Sequence, residues 1–105
     1  MGSIRDIIDT SEEYLRSCAS SIINHSNFKD EISRASFNGQ DATEIEIDNI
    51  IKEELGNLTE SQFEVVLKEM SRILSKDNVS INDYEYDVYY GQVERVSNVK
   101  IELEW

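Results

Sequence analysis

His25 and Cys18 are the only imidazole and the only thiol in the 105 residues. A zinc site takes four such ligands or their carboxylate substitutes, so none can be assembled from two residues seven apart. Cys18 falls on an apolar helical stripe, the setting of a buried, unreactive thiol. His25 follows that helix, where it suits a capping or surface role. A Ser-His-carboxylate set could draw only on His25, and no serine lies in a nucleophile-elbow pattern. Four scattered glycines build no phosphate loop. Carboxylates are abundant, but acid–base pairs need burial that acids on an exposed strand lack. The reading is therefore no catalytic residue, no cofactor and no metal: not an enzyme.

What remains chemically distinctive is charge. Twenty-two acids against 10 bases give a net charge of −12. Such a chain is repelled by anionic lipid and by nucleic acid, so neither is expected as a direct partner. No apolar run reaches the ~18 residues of a membrane span. The N-terminus lacks signal-peptide character, and Met1-Gly2-Ser3 opens a myristoylation pattern that fails at Asp6. A lone cysteine permits no internal disulfide. These features give the expectation of a cytoplasmic protein with one domain over residues 1–105.

The charge is uneven. Residues 1–40 hold 6 acids and 4 bases, residues 41–105 hold 16 and 6, and the turn-rich Phe37-Asn38-Gly39-Gln40-Asp41 divides them. In the first part, Ile4, Ile7, Ile8, Leu15, Cys18 and Ile22 recur at three- and four-residue steps and predict a helix over residues 3–24. Phe28 and Ile32 suggest a short helix over 27–35. Residues 42–48 fit two patterns. Thr43, Ile45 and Ile47 alternate with Glu44, Glu46 and Asp48 as in a strand. Asp41 with Glu44 also reads as a capping pair, and Ile47, Ile50, Ile51 and Leu55 keep helical spacing up to Gly56. The helix is the favoured reading, with its first turn open to being strand. Thr59 and Gln62 form a capping box ahead of Phe63, Val66, Leu67, Met70, Ile73 and Leu74.

After Asp77-Asn78 the period changes to two. Tyr84, Tyr86, Val88 and Tyr90 alternate with Asp83, Glu85, Asp87 and Tyr89; Val99, Ile101, Leu103 and Trp105 alternate with Lys100, Glu102 and Glu104. This predicts a hairpin over 83–105, turning near Ser97-Asn98, with a bulge at Gly91. The fold class expected is α+β: three or four helices packed on one face of a small C-terminal antiparallel sheet. The face carrying Tyr84, Tyr86, Val88, Tyr90, Val99, Ile101, Leu103 and Trp105 must meet the helices. The other presents Asp83, Glu85, Asp87, Tyr89, Glu102 and Glu104, relieved by Lys100. A second acidic row, Glu44, Glu46, Asp48, Glu53 and Glu54, is expected on the helices.

Two stretches are similar to known families. Residues 53–70 resemble the helix–linker–helix between paired EF-hands of calmodulin-type proteins, and Ile81-Asn82-Asp83-Tyr84-Glu85-Tyr86 resembles the end of such a loop, with Glu85 at the bidentate position. Leu74, Lys76 and Val79 stand where oxygen ligands and the loop glycine belong, so the resemblance implies at most an interaction module without calcium. Leu58-Thr59-Glu60-Ser61-Gln62-Phe63 and Tyr89-Tyr90 resemble the acidic helix and tyrosine pair of bacteriocin immunity proteins. In type, though not in motif, the chain is similar to phage anti-CRISPR and anti-restriction inhibitors. The expected function is a stoichiometric, nucleic-acid-mimicking inhibitor of a basic protein, a nuclease or other nucleic-acid-binding protein. The alternative is a toxin immunity or regulatory partner. Asp83, Glu85, Asp87, Tyr89, Glu102 and Glu104 are the expected partner-binding residues.

Overall fold

The computed structural model describes residues 4–105; the side chains of Arg5, Asp6, Ile8, Asp9 and Thr10 lie outside that description. Four helices and a three-stranded antiparallel sheet follow one another as α1 (Ile4–Ile23), α2 (Ser26–Phe37), β1 (Ala42–Glu46), α3 (Asp48–Glu54), α4 (Glu60–Ser75), β2 (Ser80–Tyr90) and β3 (Glu94–Glu104). The sheet order is β1-β3-β2, so β3 is central and β2 is an edge. This is the expected α+β arrangement.

Residues 42–46 correct the favoured helix. They form β1, paired to β3 with Ile45 opposite Ile101, and helix begins only at Asp48. Burial decides it: Ile45 is 2% exposed between Glu44 and Glu46, which face solvent. A helix here would pull Ile45 out of the core cluster that it shares with Ile101. The Asp41–Glu44 pair therefore caps no helix, and α3 has Ile47 at its N-cap, with no side-chain cap bond. Gly56, at φ 77°, closes α3 as expected, its N–H reaching the carbonyls of Ile51 and Lys52.

The capping box of α4 forms as read: Gln62 N–H donates to Thr59 Oγ1 and Thr59 N–H donates to Gln62 Oε1. Phe63, Val66, Leu67, Met70 and Leu74 are buried, and share one core with Ile45, Ile47, Val96, Val99, Ile101 and Leu103. α1 packs on α4 and α3 through Leu15, Ala19 and Ile22. Near its start Ile4 is 78% and Ile7 65% exposed, and among the described side chains of the stripe Leu15, Cys18 and Ile22 are buried. Ser3 and the side chain of Ile8 fall outside the described residues, as does Met1-Gly2-Ser3. Cys18 is buried. His25 is a cap, but of the following helix: its Nδ1 accepts from Asn27 N–H at 3.2 Å, and its Nε2 lies 3.1 Å from Glu53.

The hairpin turn is at Gly91–Val93, not at Ser97-Asn98. Gly91 belongs to that turn, where a Cβ would run into the Tyr89 ring. Ser97 and Asn98 lie inside β3, and the bulge is there. Glu85 pairs with Lys100 but Asp87 with Ser97, so β3 carries an extra residue. Asn98 takes φ 53°, a region that asparagine tolerates, and its Nδ2 donates to Asp87 Oδ2 at 2.9 Å. A second irregularity, with the extra residue on β2, separates Ile81–Leu103 from Asp83–Glu102.

Candidate functional site

The two faces of the sheet differ sharply. On the inner face, Val96, Val99, Ile101 and Leu103 of β3 are buried, and Trp105 packs beside them. β2 follows only in part. Tyr86 and Val88 pack on the core, with Tyr86 edge-on to Phe63 at 4.9 Å between ring centroids. Tyr84 is 48% and Tyr90 74% exposed, contrary to the expectation that all four residues meet the helices. Tyr84 instead stacks on Tyr86, at 6.1 Å and 6° between rings. The hairpin is longer than the helix that covers it.

Tyr86 fastens β2 to α4. Its hydroxyl donates to Glu60 Oε2 at 2.9 Å. That bond, together with partial burial and the charges of Glu60 and Glu64, pushes the phenol up to about 12. Glu94 adds a second tie, accepting from Glu60 N–H at 3.2 Å at the helix N-terminus, where a carboxylate is favoured.

The outer face is built in rows across the three strands. Glu44, Glu102 and Asp83 are direct cross-strand neighbours, three carboxylates abreast. The next row is Glu46, Lys100 and Glu85, with Lys100 Nζ between the acids at 3.8 Å from Glu46 and 3.9 Å from Glu85. Glu104 flanks the first row, its carboxylate bonded by Asn82 Nδ2. Asp87 and Tyr89 continue the line of Glu85 toward the turn. There Arg95 lies across from Tyr89, its guanidinium carbon 4.9 Å from the ring centroid.

All six expected residues, Asp83, Glu85, Asp87, Tyr89, Glu102 and Glu104, thus share one exposed face. Two acids of that face were assigned elsewhere: Glu44 and Glu46 belong to β1, not to a helix. Their alternation with Thr43, Ile45 and Ile47 was the signal. Asp48, Glu53 and Glu54 remain on α3, apart from the sheet.

Strands stand ~4.8 Å apart, so the triple-carboxylate row keeps its charges within about 10 Å. Opposed like charges are destabilising, by some tenths of a kcal/mol to about 1 kcal/mol per pair. Among the described residues, no three His, Cys, Asp or Glu side chains converge closely enough to hold an ion. The face can attract cations at a distance, but it has no enclosed site for a small molecule.

A groove between α1 and α4 gathers the opposite charge, with Arg16, Lys68 and Arg72 beside Val65. Its arginines are matched within their own helices, Arg16 by Glu12 at 3.2 Å and Arg72 by Glu69. The Arg72 hydrogen bond, with further help from Arg16 and Lys76, holds the Glu69 carboxyl below its usual range.

Ile81–Tyr86, the stretch similar to the end of a calcium loop, is strand paired to β3 rather than a loop entering a helix. Among the described residues, no helix is long and apolar enough to cross a membrane. Neither the protein-family models, nor curated proteins, nor solved structures show a match to this chain.

Proposed function

We propose that the chain is a non-enzymatic acidic binding protein, a stoichiometric inhibitor that seats the outer face of its sheet in the cationic groove of a nucleic-acid-processing protein. The observation that carries this reading is the cross-strand registration of the acids. Glu44, Glu102 and Asp83 stand abreast, Glu46 and Glu85 share one lysine, and Glu104 and Asp87 extend the field. A sheet tolerates such repulsion at a cost, and a groove lined with Lys and Arg relieves it on docking. Nucleic acid offers such a groove one charge per ~1.7 Å of duplex axis, and a rigid row of carboxylates competes for the same side chains.

A second reading, an immunity partner of a basic toxin, is favoured by one feature. Tyr89 and Tyr90 stand 54% and 74% exposed beside the hairpin turn, at the end of the acidic face, where aromatic anchors serve a tight interface.

The test is capture from a bacterial lysate followed by a salt series. The captured protein should be basic. Its association should slow steeply as salt rises, because charge attraction is screened over ~8 Å at physiological ionic strength. Reversal of Asp83, Glu85 and Asp87 together to lysine should abolish capture while the circular dichroism spectrum is kept. Unchanged capture by that triple variant refutes the reading.

A further inference from the structure

β1 and β2 are the two edge strands of the sheet, and β2 is much the longer, 11 residues against 5. It spans Ser80–Tyr90, where strands commonly have about 5–6 residues. It pairs with β3 on one side, and no other backbone bond among the described residues reaches it. An antiparallel strand turns alternate N–H and C=O groups to each side, so an edge of this length offers a row of open donors and acceptors. The amide of Tyr84 is met locally, by Asp83 Oδ1 at 2.8 Å.

The side chains along the edge are of two kinds. Asp83, Glu85 and Asp87 point to the outer face. Tyr84 and Tyr90 lie on the inner side, exposed because α4 covers only Tyr86 and Val88 between them. A strand laid beside β2 would set every second side chain opposite a carboxylate, at ~5 Å between Cβ atoms, and the intervening ones against uncovered tyrosine rings. The complement is an extended segment with Lys or Arg at alternate positions and apolar or aromatic residues between them. A second copy of this chain is a poor complement. Two-fold pairing of β2 with itself sets the run Asp83, Glu85, Asp87 against the same run, in a chain of net charge −12.

We propose that the basic partner binds by adding such a cationic, alternating strand to the free edge of β2, extending the sheet to four strands. This rests on the acidic-face reading above and adds the mode of attachment. Main-chain pairing supplies affinity, and the spacing of the cations supplies selection.

The experiment uses the full chain, isotope-labelled, and two synthetic peptides of one composition at low ionic strength. The first is Lys-Val-Arg-Thr-Lys-Tyr-Arg-Val-Lys. The second gathers the same five cations in one block, Lys-Arg-Lys-Arg-Lys-Val-Thr-Tyr-Val. The alternating peptide should bind about ten-fold tighter, as several opposed charge pairs would give. It should also slow hydrogen exchange at alternate amides within 80–90, and lose binding when its own alternate amides are methylated. Equal binding of both peptides with no slowed exchange in β2 overturns strand addition and leaves the acidic face as a plain charge surface. Failure of both peptides to bind overturns the inference together with the reading beneath it. Self-association with β2 amides protected in the absence of peptide overturns it in favour of a second copy.

Discussion

Neutralising Glu102 should make the protein more stable. Glu102 is central in the triple-carboxylate row, with Glu44 on one side and Asp83 on the other. Two unit charges ~5 Å apart in water repel by about 0.8 kcal/mol, and opposed like charges in sheets are destabilising by a similar amount. Glu102→Gln keeps the shape and removes both repulsions, so a gain of about 1 kcal/mol is expected at low salt after some relaxation of the side chains. That corresponds to roughly 4–8 °C in melting temperature for a domain of this size. The assay is thermal and urea unfolding at about 10 mM and about 1 M salt, where the screening length falls from ~30 Å to ~3 Å. The gain should fade at high salt. Glu85→Gln is the internal control. It lies one row away but faces Lys100, so its loss should slightly destabilise the fold at low salt. A Glu102→Gln variant no more stable than the parent at low salt, or a gain that persists at high salt, refutes the in-row repulsion.

Other consequences can be checked in the same preparations. Thr59→Ala removes the hydroxyl of the α4 capping box and should cost about 1 kcal/mol in urea unfolding, with little change in the slope. Tyr86, raised to about 12 in the folded chain from an ordinary 10.0, favours its protonated form on folding. Its contribution is complete below pH 10 and is lost as pH rises through about 12, so the protein should lose stability over that window. Tyr86 should ionise last of the 5 tyrosines in an absorbance titration, later than Tyr14, which Cys18 also raises, and Tyr86→Phe should abolish that last step. Ile101→Ala opens a cavity beneath the acidic face and should cost ~2–5 kcal/mol, measured by the same unfolding curves.

The parts legible in sequence were those in which one local signal stood alone. Thr59 and Gln62 marked the start of α4 because the reciprocal bonds need only four residues. Strict alternation over Asp83–Tyr90 and Val99–Trp105 put the five acids and Tyr89 on one face, but not in register, because the turn lies at Gly91–Val93 rather than at Ser97-Asn98. β1 was ambiguous because Ile45, Ile47, Ile50 and Ile51 satisfy both periods where a strand runs straight into a helix. What resolves it is pairing with the side of β3 that β2 leaves open, a long-range fact. Asn98 drew the hairpin turn toward itself because asparagine with positive φ serves turns and bulges alike, while Gly91 filled the turn. Periodicity also says nothing of how far a covering element reaches, which is why Tyr84, Tyr90, Ile4 and Ile7 sit on apolar stripes yet lie outside the core.

The paired bulges make the hairpin sensitive to insertion and deletion in a way that its composition hides. Outward residues on β3 are even-numbered from Glu104 to Lys100 and odd-numbered from Ser97 to Arg95, with the switch at Asn98. On β2 the switch falls at Asn82, between outward Ser80 and outward Asp83. With Asn98 kept but drawn into one continuous frame, Arg95 would turn toward the core and Val96, 6% exposed, toward water. A length change elsewhere in β3 has the same effect, whereas loss of Asn98 itself only removes the bulge and keeps both facings. Length changes in Gly91–Val93 meet no such parity, because no partner strand reads those residues. Descendants of this gene should therefore vary in length at the turn, and lose or gain residues within the strands only at the bulge positions Asn82 and Asn98 or in compensating pairs.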